Sequence, residues 1–101
     1  MTWPHALACF FAGVLLANAV PHFVHGISGD RFPTPFAHPP GKGLSSPTVN
    51  VLWSLFNLAI GGLLFRAGHI AGLDAALGIF CAGVALSSIV SSLGFAGKDA
   101  R

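Results

Sequence analysis

The side chains with the most chemistry in this sequence are two histidines on one helical face. Asn18, His22 and His25 stand in the segment Asn18-Ala19-Val20-Pro21-His22-Phe23-Val24-His25-Gly26, at i, i+4 and i+7. Imidazole titrates near neutral pH and is a common metal ligand. The pair therefore admits hydrogen bonding in a packed interface, a metal or haem site, or a proton relay. Pro21 has no N–H, so it frees the carbonyl of Ala17 and predicts a kink. That carbonyl, Asn18 and two imidazoles within two turns would make a small polar pocket.

A metal site needs three or four ligands. Only Asp30 and His38 stand near enough to complete one at His22 and His25, and no Cys is close; Asp30 also has an adjacent ion-pair partner in Arg31. Bis-histidine haem needs one His from each of two helices at equal depth. The other apolar segments contain no embedded His, and His5 and His69 fall at the opposite end. Haem would then require His22 or His25 twice, across the symmetry axis of a homo-oligomer. Packing and hydrogen bonding is the favoured reading, with no cofactor; a metal ion or haem at His22/His25 is the alternative.

Two more polar rows accompany this one. Asn50, Ser54, Asn57 and Gly61 recur at i, i+4, i+7 and i+11, and Gly83, Ser87 and Ser91 form a third row with Ser88 and Ser92 beside it. Polar side chains are costly in hydrocarbon and face neighbouring helices. At 1.5 Å per residue, Asn18 and Asn57 each lie about 10 Å deeper than His25 and Asn50. All three rows thus meet in one leaflet. As helix–helix glue, each hydrogen bond contributes about 0.6–2 kcal/mol; this is favoured over a polar cavity that binds or passes something.

The elements that must position these residues follow from composition. Of 101 residues, 53% are hydrophobic and 8% charged, with five Lys/Arg, three Asp and a net charge of +2; mean hydropathy is +0.75. Soluble domains carry about 25% charged residues, so an integral membrane protein is expected. The charges form no basic stripe, so no nucleic-acid partner is expected. Residues 1–29, 43–65 and 75–97 lack Asp, Lys and Arg, and each exceeds the roughly 20 residues a spanning helix needs. The expected fold is all-α: a single three-helix transmembrane domain, with helices near 5–26, 48–66 and 73–95. Strands are not expected, because the runs do not alternate and three segments cannot close a barrel.

Ser46 is a candidate N-cap with Pro47 at the first helical position. Loop 27–47 is rich in Pro and Gly, and its aromatics suit a folded-back interfacial loop. The short link flanked by Gly68 and Gly72 predicts an antiparallel hairpin of the second and third helices. Arg31, Lys42, Lys98 and Arg101 flank one side and Arg66 the other. The positive-inside rule then places the amino terminus outside and the loop and carboxyl terminus in the cytoplasm, which suits a bacterial inner membrane. Ala17-Asn18-Ala19 fits a leader-peptide cleavage pattern, but residues 2–16 lack the positive charge such leaders carry, so the first helix is expected to be retained.

Cys9 and Cys81 are expected to pack apolarly, without a Cys-x-x-Cys motif. Trp3, Trp53, Phe10, Phe11, Phe23 and Phe32 are expected to face lipid or the interface. Phe10-Phe11-Ala12-Gly13-Val14 echoes Phe80-Cys81-Ala82-Gly83-Val84, a short match that carries little weight by itself. No nucleophile motif, phosphate loop or carboxylate pair is present. The expected role is a small non-enzymatic membrane protein, an oligomeric or accessory subunit of a homo-oligomer or larger membrane complex. The alternative is a homo-oligomeric transporter or channel with a path along Asn18, His22, His25, Ser54 and Asn57; a third is a redox subunit centred on His22 and His25.

Overall fold

Each helix begins where a short polar side chain can take up a free backbone N–H. In the computed structural model, which describes residues 1–72 and 74–98, Thr2 caps α1 (Trp3–Ile27), Ser46 caps α2 (Pro47–Ala67) and Asp74 caps α3 (Ala75–Gly94). The cap oxygens accept from the N–H of His5, Val49 and Leu77 at 3.2–3.3 Å, the arrangement that N-cap preferences reflect. Pro4 and Pro47 fall in first turns, where a missing N–H costs nothing. Pro21 lies inside α1, which continues unbroken past it. The ends differ from the sequence expectation by one or two residues; the expected start of the third helix at Leu73, and Arg101, lie outside the described residues.

All three helices are long and apolar enough to cross a membrane. The chain is thus an all-helical protein whose composition indicates a membrane location.

The expected hairpin is only partly what the chain builds. The chain turns after α2, with His69 at φ 49° and Gly72 at φ 69°, and α3 runs antiparallel to α2. Yet α2 and α3 barely meet: α1 packs along both and is the central helix. Glycines explain that choice. A Cβ at Gly13 would collide with the carbonyl oxygen of Phe80, and a Cβ at Gly83 with that of Phe10. The two contacts are reciprocal, and they join equivalent positions of the Phe10–Val14 and Phe80–Val84 echo. The repeat is therefore a packing device: two parallel helices cross backbone to backbone at matched glycines, as small-residue crossings in membranes do. On the other side of α1, a Cβ at Gly61 would strike Leu16, and one at Gly26 would meet Val51 and the Pro47 carbonyl.

The connection between α1 and α2 is folded, and it holds a two-residue antiparallel pair, β1 (Phe32–Pro33) with β2 (Leu44–Ser45), that the sequence reading did not expect. Thr34 organises it. Its carbonyl accepts from Ala37 and Gly41, and its buried hydroxyl bonds the Ser45 hydroxyl.

Candidate functional site

Asn50 is the junction of the polar seam. It is completely buried, and its amide nitrogen lies 3.0–3.3 Å from the carbonyl oxygens of Phe32, Ser45 and Ser46. Carbonyls only accept, so this nitrogen donates to all three and Oδ1 must face the other way. There it lies 2.8 Å from His22 Nδ1. An amide oxygen cannot donate, so His22 carries its proton on Nδ1. One side chain thereby ties α1 to α2 and fastens both strands of the loop to the helix ends.

His22 is buried in an aromatic surround, its ring edge-on to Phe32, Trp53 and Phe95 at centroid distances of 5.3, 6.5 and 6.1 Å. Phe32, expected at the lipid or interface, is instead 2% exposed. The reason is the loop: once Asn50 holds its carbonyl, the ring is folded over His22, stacks on His25 at 4.3 Å and meets Phe95 at 4.7 Å. Phe95, just past the end of α3, and Thr34 and Ser45 in the loop escaped the sequence reading. Only a Thr between two prolines, Pro33-Thr34-Pro35, hinted at them.

His25 faces outward and pairs with Asp30 through Nδ1 at 3.2 Å, so that Asp30 engages His25; Arg31 and His38 are exposed. Both histidines thus commit Nδ1 to a hydrogen-bond partner. Among the described residues, no three of His, Cys, Asp and Glu gather in a metal-ligating group.

A second crossing lies deeper. Asn57 donates through Nδ2 to the carbonyl of Trp53 at 2.8 Å, which fixes its Oδ1 toward Asn18, whose Nδ2 donates to it at 3.1 Å. Ser54 returns its hydroxyl to Val51 of its own helix. In this way α1 and α2 are joined by Asn18–Asn57 and His22–Asn50 at two successive depths. No buried side-chain nitrogen or oxygen among the described residues lacks a partner, as a water-poor surrounding requires.

The third row opens onto a different feature. Because α2 and α3 stand apart, a groove of about 450 Å³ runs between them, floored by α1. Asn18, Asn57, Ser87 and Ser91 line it together, with the aromatic side chains of Phe10, Phe11, Trp53 and Phe56. The residues proposed as a path therefore do not share one cavity within the chain. Asn18 and Asn57 line this groove, Ser54 borders an apolar cleft on the other side of α1, His22 is enclosed by rings, and His25 is half-buried against Phe32 and Asp30.

At the far end, Gly68 gathers polar contacts that sequence spacing did not reveal. Its carbonyl lies against His5 Nε2 and accepts from the buried Cys9 thiol at 3.4 Å, and the His5 and His69 rings meet edge to face. Cys81 is exposed, so the two thiols have separate surroundings.

No family model matches this sequence, no curated protein matches it, and no solved structure matches its fold.

Proposed function

We propose that this chain is a non-enzymatic membrane subunit that assembles, with copies of itself or with a larger complex, through the outer face of α3. One observation carries the reading: α3 packs mainly on α1, touches α2 through Phe65 and Phe80 near the link, and is the least covered of the three helices. Hydrocarbon gives helices no hydrophobic reason to associate, so lateral contacts rest on close packing and on hydrogen bonds. The outer face of α3 offers both kinds of contact. Ser88 is exposed, and Gly78 has open space where a Cβ would stand. The polar residues on α1 and α2, by contrast, are largely spent on one another. This supports a structural role for the seam and an external role for α3.

Most of the flanking basic residues lie on the side of the folded loop, and with them we place that side in the cytoplasm of a bacterial inner membrane. The test is oligomeric state in lipid nanodiscs, with native co-purification in mild detergent. A discrete oligomer or a stoichiometric partner is expected, and Ser88→Leu should weaken it. A homogeneous monomer that recovers no partner would sink the reading.

A further inference from the structure

Most clefts on this molecule are lined by groups that want only hydrocarbon. The cleft beside Ser54 is of this kind: its other lining residues are apolar, and the Ser54 hydroxyl is already bonded to Val51. The groove between α2 and α3 differs. Among the described residues, the hydroxyls of Ser87 and Ser91 and the Oδ1 of Asn18 make no hydrogen bond, although all three residues line it. Ser54 and Ser92 show the usual alternative, a bond to the carbonyl three residues back. Leaving such groups against acyl chains is unfavourable.

We infer that this groove is a binding site for a membrane-soluble phenol, a flat ring with a hydroxyl and an apolar tail. The Asn18 orientation is decisive for the hydroxyl. Because Asn57 donates to Trp53, Asn18 must spend its nitrogen on Asn57 and keep its oxygen free; that oxygen accepts only, so the ligand must bring an O–H. The two serine hydroxyls donate to the ligand oxygen in return. The aromatic residues Phe10, Trp53 and Phe56 line the same groove, and flat rings favour stacked or edge-on partners. Its volume of about 450 Å³ falls within the usual range for small-molecule sites. Depth excludes a phospholipid headgroup. Asn18 lies nine residues before the loop-side end of α1 at Ile27, about 14 Å along the axis. Only a small, weakly polar head sinks that far.

The test uses the full chain with Trp3→Phe, which leaves Trp53 as the only tryptophan of two, in nanodiscs. The probe is a ring-brominated decylphenol, whose bromine quenches a neighbouring indole. Saturable quenching is expected. The methyl ether of the same probe, which has no O–H, should bind about tenfold more weakly, as should the Ser87→Ala/Ser91→Ala variant, each having lost hydrogen bonds. Ser87→Phe, which fills the groove without adding polarity, should abolish saturation while helicity by circular dichroism stays unchanged. Linear, unsaturable quenching, or equal affinity for phenol and ether, would overturn the inference; so would a brominated dodecanol that binds as tightly as the phenol.

Discussion

Replacing Asn50 by Leu should release the loop while leaving the helices in place. Asn50 accepts one hydrogen bond, from His22, and shares its two N–H hydrogens among three carbonyls. Leucine keeps the volume and removes all of this. Hydrogen bonds between membrane helices contribute about 0.6–1.7 kcal/mol each, and His22 Nδ1 is left buried without an acceptor, at about 1–3 kcal/mol. We take about 3 kcal/mol as the loss, which is roughly a hundredfold in the opening equilibrium. Arg31 stands exposed one residue before the Phe32 carbonyl that Asn50 grips, so trypsin cleavage after Arg31 reports that opening. Where reclosing outpaces cleavage, the rate follows the open population. Cleavage of N50L in nanodiscs should therefore be up to roughly a hundredfold faster. Asn57→Leu, which breaks the deeper Asn18 bond, should leave it unchanged. A cleavage rate for N50L within about twofold of the unaltered chain would refute the argument that one amide anchors the loop.

The matched glycines make a second prediction. Gly13→Val or Gly83→Val should force α1 and α3 apart and lower resistance to unfolding in mixed detergent by at least about 2 kcal/mol, in the range of overpacking costs, whereas Gly62→Ala, where a Cβ meets nothing within 4 Å, should change it little. The thiols supply a third: in detergent, an apolar maleimide should modify Cys81 in the folded protein and reach Cys9 only after unfolding, as mass spectrometry of timed samples would show.

Much of the seam was legible because helical geometry is local. Residues three, four and seven apart share a face whatever else the chain does, so the rows Asn18–His22–His25 and Asn50–Ser54–Asn57 could be read directly. Equal rise per residue along antiparallel helices then set Asn18 level with Asn57 and His25 level with Asn50; that Asn50 bonds His22, one turn deeper, was decided only by the structure. What these groups do once they meet was not legible. Ser54 turned to its own helix, His25 to Asp30, and Asn50 to a loop whose conformation no periodicity encodes. The echo at Gly13 and Gly83 was visible but mute, because five apolar residues repeat readily; its reciprocity appears only when the two backbones touch.

The sequence by itself determined three apolar helices, their approximate lengths, their polar faces and the Ser46 cap of the second, since these depend on composition, spacing and the side chain just before that helix. Which helix lies in the middle was decided only in three dimensions. A short link between α2 and α3 limits how far apart their joined ends can lie, but it does not make them pack. Packing went to the pairs whose glycines let backbones approach, α1 with each of the others. The groove between α2 and α3, with its free hydroxyls and amide oxygen, is the consequence.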